Sequence, residues 1–243
     1  MLIAIIADLH ANLEATTAVF REIDKRRPDR VFCLGDLAGY NTQPNEVIDI
    51  LRERDIPTIM GNHDAAACGL EDPWFFRASA KKAIEWQLNQ IRDDNREWLT
   101  RAPEQIVFGC TCLGVHGSPS SRDDYIIDWL DAMRQLEFLN GRDINACFFG
   151  HSHRPSFFSE KGPEQTVTAG AVHELRRLNR YFINPGAVGQ PRDRDPRAAF
   201  ALFDMEKMTF EFCRVEYDIE TCARKIIQAG LPMELASRLS KGK

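Results

Sequence analysis

The chain has 243 residues, of which 44% are hydrophobic, and its formal net charge at pH 7 is −5. A chain of this length and composition can bury a large core, so it needs neither disulfides nor a structural metal ion in order to fold. The acidic balance argues against stable nucleic-acid binding, for which a basic surface is expected.

The cysteines and the N-terminal segment indicate the compartment. Seven cysteines form no paired framework, and an odd number favours a reducing compartment. A metal site at Cys110 and Cys112 is disfavoured, because no second pair of Cys or His residues lies near them in the sequence. Met1 runs directly into an apolar segment without the basic region or the cleavage site of a signal peptide, and no apolar stretch reaches membrane-spanning length. We therefore expect a cytoplasmic protein without membrane segments.

The first sixty residues alternate between apolar runs and amphipathic segments. Continuous apolar runs predict buried strands, and apolar residues at helical spacing predict helices. The predicted strands are residues 2–7, 31–34 and 56–60, and the predicted helices run from an N-cap at Asn12 to about Arg27 and onward from Pro44. This strand–helix alternation is typical of a largely parallel sheet.

The rest of the chain predicts helices followed by more closely spaced strands. Residues 65–102 are predicted to be helical, with Trp74–Phe76 as candidate borders of a substrate cleft. Two short strands around Gly109 (105–117), an amphipathic helix (122–140) and a buried strand (144–149) come next. Five further strands are predicted at 156–158, 165–168, 181–184, 198–204 and 209–216, before a helical tail from Ile219. They predict a second, more antiparallel sheet packed on the first. Because no linker or repeat interrupts the chain, we expect a single domain over residues 1–243.

Five of the six histidines lie in short polar stretches, each next to an apolar run predicted to be a strand. The stretches are Asp8-x-His10, Gly35-Asp36, Gly61-Asn62-His63-Asp64, His116-Gly117 and Gly150-His151-Ser152-His153. Because open α/β sheets gather their ligand sites at the carboxyl ends of the strands, these side chains can converge. Asp and His supply oxygen and nitrogen ligands, and one carboxylate can bridge two cations ~3.5–4 Å apart. Any one of these residues alone would more often be a capping or hydrogen-bonded residue, but together they predict a metal site.

In this order, the motifs resemble those of the calcineurin-like metallophosphoesterases, from the first residues to at least His153. The later segment 184–189 resembles one found in the small prokaryotic phosphodiesterase-like branch of that superfamily. The resemblance implies an α/β fold, a four-layer α/β/β/α sandwich with two packed mixed sheets, and a dinuclear metal centre. It also implies two ligand sets: Asp8, His10, Asp36 and His153 for the first metal, and Asp36, Asn62, His116 and His151 for the second.

The same resemblance implies that His63 is a catalytic side chain that does not bind metal and that Asp64 orients it. A carboxylate at the second nitrogen of an imidazole favours the protonated ring, which agrees with that assignment. The expected mechanism is in-line attack on phosphorus by a metal-bridging hydroxide, with His63 protonating or stabilising the leaving alkoxide. Asn12, most simply a helix cap, and Arg192, in a charged loop, are candidate substrate contacts.

Two departures from the superfamily pattern bear on the substrate. The protein phosphatases of the superfamily carry an Asp-Arg pair shortly after the Gly-Asp motif, where Leu37-Ala38-Gly39-Tyr40 follows in this chain. They also carry Glu after the catalytic histidine, where this chain has Asp64. We therefore expect a phosphodiesterase acting on a phosphate ester, with a phosphomonoesterase or protein phosphatase and a dinucleoside tetraphosphate hydrolase as alternatives.

A non-catalytic scaffold on the same fold is a further alternative, which the retained His63 disfavours. The expected cofactors are two divalent metal ions, manganese first, although nitrogen and oxygen ligands also suit iron, zinc or nickel. The sequence carries no indication of the oligomeric state.

Overall fold

The computed structural model describes residues 1–109, 111–162 and 167–243. Its strands are β1 (Leu2–Ile6), β2 (Arg30–Cys33), β3 (Gln105–Phe108), β4 (Cys112–Val115), β5 (Ala146–Phe148), β6 (Ser156–Ser159), β7 (Val172–Glu174), β8 (Tyr181–Asn184), β9 (Ala198–Asp204) and β10 (Thr209–Val215). Its helices are α1 (Leu13–Arg26), α2 (Pro44–Glu53), α3 (Asn62–Ala67), α4 (Ala78–Leu88), α5 (Asp93–Thr100), α6 (Trp129–Arg134), α7 (Leu136–Asn140), α8 (Ile219–Gln228) and α9 (Met233–Leu239), with a 3-10 turn at Pro73–Phe75. Within the described residues, every helix is too short or too polar to cross a membrane.

The strands of the described residues form two mixed sheets of five strands each. The first sheet has the order β2-β1-β9-β10-β7, in which β1 and β2 are parallel and the other neighbours are antiparallel. The second has the order β3-β4-β5-β8-β6, in which β4, β5 and β8 are parallel and the two edge strands are antiparallel. The parallel pairs of the two sheets therefore bring strand ends together at one side.

Alternation along the strands divides the buried side chains among the layers. In β1, Ile3 and Ile5 point between the two sheets, where they share a core with Phe148 of β5. Ala4 and Ile6 point to the other face and pack with α1 and α2. The outer face of the second sheet packs on α6 and α7. The order of layers is helix, sheet, sheet, helix, which confirms the predicted α/β/β/α sandwich.

The prediction that the second sheet is built from the later strands was wrong. The two sheets interleave along the chain, because β9 pairs with the free edge of β1 and β10 follows it. An antiparallel strand of apolar residues satisfies the exposed backbone edge of β1 and fills both faces of that layer. An apolar run does not reveal which sheet edge it will join.

Two local elements also differ from the prediction. Residues 56–60 contribute a single parallel bridge, between Thr58 and Cys33, because Pro57 has no N–H to extend the ladder. The helix predicted over 122–140 begins only at Trp129, where the Asp128 side chain caps it by accepting from the Asp131 N–H. Part of the predicted strand 165–168 and Cys110 of the Cys110-x-Cys112 pair lie outside the described residues.

Candidate metal centre

The carboxyl ends of β1, β2, β4 and β5 meet at one edge of the sandwich. The Gly150 N–H donates to the His116 carbonyl (2.8 Å), which joins the turns after β4 and β5. The His151 N–H donates to Asp8 Oδ1 (3.1 Å), which joins the two sheets. The polar turns of the sequence are therefore hydrogen-bonded to one another.

Buried carboxylates and imidazoles at this edge form two groups, and within each group the ligand atoms lie within 4.8 Å of one another. None of these residues is more than 5% exposed. The first group is Asp8, His10, Asp36 and His153, and the second is Asp36, His116 and His151. Asn62 adjoins the second group, since its Oδ1 lies 3.1 Å from His116 Nε2. The structure brings together every residue predicted to bind metal.

Asp36 stands between the two groups. Its Oδ2 lies 3.5 Å from His10 Nε2 and 3.3 Å from His116 Nε2. Its Oδ1 accepts the backbone N–H of His63 (2.9 Å), which fixes the orientation of the carboxylate. One oxygen of this side chain therefore faces both sets of donor atoms.

Backbone carbonyls fix the tautomer of three imidazoles. At Nδ1, His10 donates to Ala38, His116 to Leu34 and His153 to Gln190, over 2.6–2.8 Å. Because a carbonyl oxygen can only accept, Nδ1 carries a proton, and in the neutral ring the Nε2 lone pair points into the site. Nε2 of His10 and Nε2 of His153 are 3.0 Å apart. Two facing lone pairs repel each other, and a cation bound by both removes that repulsion.

Other buried acceptors in the site also fit cations. Asp8 Oδ2, Asp36 Oδ2 and His151 Nε2 have no hydrogen-bond partner among the described residues. Buried polar atoms are nearly always paired, so unpaired ones call for an explanation such as a bound ion. Carboxylate oxygens and imidazole nitrogens without thiolates suit divalent transition metals. The residues present therefore fit two divalent cations.

Burial and neighbouring charge set the protonation of these side chains. Burial raises the pKa of Asp8 to about 7 and lowers that of His10 to about 4 and that of His151 to about 3. Burial also disfavours the charged forms of Asp36 and His116, but their mutual attraction outweighs it: the pKa of Asp36 is lowered and that of His116 is raised to about 9. Bound cations favour the carboxylate anion and the neutral imidazole, the forms that coordinate metal.

The backbone is left-handed at most of these ligands. The φ angles are positive at Asp8 (55°), His10 (48°), Asp36 (57°), His151 (63°) and His153 (58°). This conformation costs about 1–3 kcal/mol at each residue that is not glycine, and it persists only where the surroundings hold it. Close approach adds a further constraint, because a Cβ on Gly61 would lie 2.0 Å from Asp36 Oδ1. The turns are shaped to direct these side chains inward.

His63 lies beside the first ligand group without belonging to it. Its ring centroid is 4.8 Å from that of His10, 4.6 Å from that of Tyr40 and 4.6 Å from that of Phe76. Its Nδ1 has no hydrogen-bond partner among the described residues, and burial lowers the pKa of the ring well below its usual value. Of the predicted cleft aromatics, Phe76 reaches this ring, while Trp74 and Phe75 are exposed.

The predicted contact between Asp64 and the His63 ring is corrected by the structure. The Asp64 carboxylate accepts three backbone N–H groups, from Asp36 (2.8 Å), Ala38 (2.9 Å) and Gly61 (3.0 Å). Asp64 is the third residue of α3, and the first helical turn directs it back over the Asp36 loop rather than towards its neighbour. Asp64 is therefore a positioning residue for Asp36.

The structure also argues against Asn12 as a substrate contact. Its Oδ1 accepts the Ala15 N–H (3.1 Å), which caps α1, and its Nδ2 donates to the Gly189 carbonyl (2.9 Å). The side chain is fully buried. Because both ends of the amide are engaged, Asn12 caps the helix and holds the 184–189 segment against the turn after β1.

Arg192 lies beside both ligand groups. Its Nη2 donates to the Tyr40 hydroxyl (2.8 Å), and the Tyr40 ring centroid is 4.5 Å from that of His10. The Tyr125 ring centroid lies 3.9 Å from that of His151, and the Arg192 charge opposes the rise in the Tyr125 pKa that burial causes. Sequence reasoning missed both tyrosines. The one available signal was that Tyr40 occupies the region where the protein phosphatases carry arginine.

Comparison with known proteins supports the resemblance seen in the motifs. A family model described as "Calcineurin-like phosphoesterase superfamily domain" matches residues 1–208. The "Uncharacterized protein MJ0912" of Methanocaldococcus jannaschii is 35% identical over 248 residues, covering 100% of this chain and 98% of that protein.

Solved structures give the same fold. The crystal structure of a metallophosphoesterase from Sphaerobacter thermophilus superposes with a TM-score of 0.88 at 35% identity, covering 100% of this chain and 99% of that one. The hypothetical protein PH1004 from Pyrococcus horikoshii OT3 superposes with a TM-score of 0.81 at 20% identity, covering 100% and 98%. The second likeness shows the fold alone.

The position of Asp64 predicts the effect of Asp64→Ala. Three backbone N–H groups would lose their acceptor, and the Asp36 turn would lose its fixed shape. We expect the variant to bind fewer manganese ions per chain, measured by plasma mass spectrometry after dialysis. Asp72→Ala is the control, because it removes an exposed carboxylate that also accepts a backbone N–H. If Asp64→Ala kept its full metal content and lost only turnover, the result would support the predicted role of Asp64 in orienting His63.

Proposed function

The chain belongs to the calcineurin-like phosphoesterase superfamily, and from that membership we propose that it is a dinuclear-metal-dependent phosphodiesterase. The observation that supports this most directly is the pair of buried ligand groups that share Asp36. The proposed first set is Asp8, His10, Asp36 and His153, and the proposed second set is Asp36, Asn62, His116 and His151. Manganese is the proposed metal, and the donors also suit iron, zinc or nickel.

When bound, two divalent cations neutralise charge on the phosphoryl oxygens and make water nucleophilic near neutral pH. The remaining roles fall to side chains around them. His63 is proposed to act on the leaving oxygen, because it adjoins the first group and its Nδ1 is free of other partners. Arg192 is proposed to contact the phosphoryl group, since its guanidinium lies beside rings that touch both groups.

The preference for a diester rests on the residues around Tyr40. Residues 37–40, which follow Asp36, include no arginine that could bind a phosphomonoester. Tyr40 packs against the His10 and His63 rings instead. One guanidinium, from Arg192, remains next to the ligand groups. A diester monoanion needs less positive charge for binding than a monoester dianion, so this arrangement favours the diester.

Three wider properties are also proposed. The chain is one domain over residues 1–243, supported by relatives that match it along its full length. It works in the cytoplasm, supported by six described cysteines that are buried and free. It does not bind nucleic acid stably, supported by its net charge of −5.

Substrate preference is tested with bis-p-nitrophenyl phosphate and p-nitrophenyl phosphate on metal-stripped protein to which manganese is returned. We expect the diester to have the higher kcat/KM and activity to vanish on chelation. A higher value for the monoester would identify a phosphatase. Absence of turnover with both esters and with a dinucleoside tetraphosphate would favour the scaffold alternative.

Replacement of His63 separates metal binding from chemistry. His63→Ala should keep the full metal content, because the side chain belongs to neither ligand group, while kcat falls ~10²–10⁴-fold through loss of a proton-transfer group. Metal content and kcat are measured on the same preparation. His173→Ala is the control: this histidine lies on β7, stacked on Phe210, and its replacement should leave kcat unchanged. Wild-type kcat in His63→Ala would remove His63 from the mechanism.

A further inference from the structure

Three arginines, Arg77, Arg192 and Arg238, lie in the neighbourhood of Tyr40. Tyr40 packs in one apolar cluster with Ala80 of α4 and with Leu235 and Leu239 of α9. This packing brings the start of α4, where Arg77 is the N-cap, near the end of α9, which carries Arg238. Arg192 donates to the Tyr40 hydroxyl.

The last residues of the chain hold Arg238 next to the Arg192 loop. The Arg194 N–H donates to the Gly242 carbonyl (2.8 Å), and Arg238 Nε donates to the Lys243 main-chain oxygen (2.8 Å). A Cβ on Gly242 would lie 2.7 Å from the Asp195 nitrogen, so the two backbones are in direct contact. The position of Arg238 is thus fixed by backbone packing.

Arg77 and Arg192 lack the carboxylate partner that neutralises other arginines of the protein. Arg26, Arg54 and Arg214 each form an ion pair with Asp or Glu. In the part of the chain that the structure describes, Arg77 and Arg192 pair with no Asp or Glu side chain, whereas Arg238 donates through Nε to the Lys243 main-chain oxygen. Burial and the charge of Arg192 lower the pKa of Arg238, Tyr40 and Glu234 oppose that shift, and Arg77 adds to it. Unneutralised positive charge on an acidic protein is typical of an anion-binding surface.

Two buried donors, one on Gln190 and one on Arg192 itself, also lack acceptors. Gln190 is 1% exposed, and its Oε1 accepts from Arg192 Nη2 (3.2 Å). Because a guanidinium can only donate, this contact fixes the amide so that Nε2 points elsewhere. Gln190 Nε2 and Arg192 Nε have no partner among the described residues. The Gln190 backbone carbonyl accepts a hydrogen bond from His153 Nδ1. Gln190 therefore lies between the first ligand group and Arg192.

We propose that Arg77 and Arg238 form a subsite for a second phosphate group of the substrate, while Arg192 and Gln190 contact the phosphoryl group at the metal centre. The inference rests on the proposed function, because it places a phosphate ester at that centre. It narrows the substrate class to phosphodiesters that carry a further phosphate group. Arginine suits this role because its planar donors bind phosphate oxygens in pairs.

Equilibrium binding tests the subsite without turnover. The protein is manganese-loaded His63→Ala, and calorimetry compares propyl phosphate with 1,3-propanediol bisphosphate and 1,6-hexanediol bisphosphate. We expect at least one bisphosphate to bind about tenfold more tightly than propyl phosphate, as one added charge-assisted contact would give. Adding Arg77→Gln and Arg238→Gln should abolish that preference and leave propyl phosphate binding within about twofold. Arg21→Gln, which removes an exposed arginine of α1, should change neither.

Two results would overturn the subsite: equal affinity for the monophosphate and both bisphosphates, or an equal loss of preference in the Arg21→Gln control. If the combined variant does not fold, Arg77→Gln alone replaces it, because Arg77 is exposed. The single variant should weaken binding of the bisphosphates and leave binding of propyl phosphate unchanged. Diester hydrolysis by the unmodified protein is measured separately. If hydrolysis is absent while the bisphosphate preference persists, the proposed function fails and the subsite stands. If hydrolysis occurs without the preference, the proposed function stands and the subsite fails.

Discussion

The carboxylate of Asp36 is the contact on which the rest of the site depends. One of its oxygens is bonded to the His63 backbone, and the other faces His10 on one side and His116 on the other. A buried anion between two imidazoles is costly unless opposite charge is close. Because Asp36 belongs to both ligand groups, any movement of its turn alters both at once. The two sheets must therefore bring their strand ends together around this one side chain.

Much of the surrounding structure maintains that position. Asp64 accepts three N–H groups from the Asp36 and Gly61 turns, and backbone carbonyls orient the histidines from behind. Left-handed residues complete the turns at a cost that the packed sandwich offsets. These contacts involve the protein alone, so the ligand atoms need little rearrangement to coordinate an ion. The packed sandwich holds the strand ends in place, and the turns direct the ligand side chains towards one another.

The sequence predicted the elements that depend on local pattern. Apolar runs followed by Asp, Asn or His identified the strand ends, and the resemblance of the motifs predicted side chains that the structure brings together. Prediction failed where long-range pairing decides: β9 could join either sheet, and Arg192 meets Tyr40 across 152 positions of sequence. It failed again where a short side chain bonds to nearby backbone. Asp64 was given its role by the family resemblance and Asn12 was a candidate substrate contact, yet turn and helix donors engage their side chains.

The proposed activity on an anionic ester requires positive charge at the site of an acidic chain. Arg192 supplies positive charge beside the ligand groups, through its contact with Tyr40. The proposed chemistry requires two cations that share Asp36. Anomalous diffraction from manganese-loaded crystals would locate them, and we expect two anomalous peaks per chain, both in contact with the Asp36 carboxylate. A single peak, or two peaks of which one does not touch Asp36, would refute the shared site.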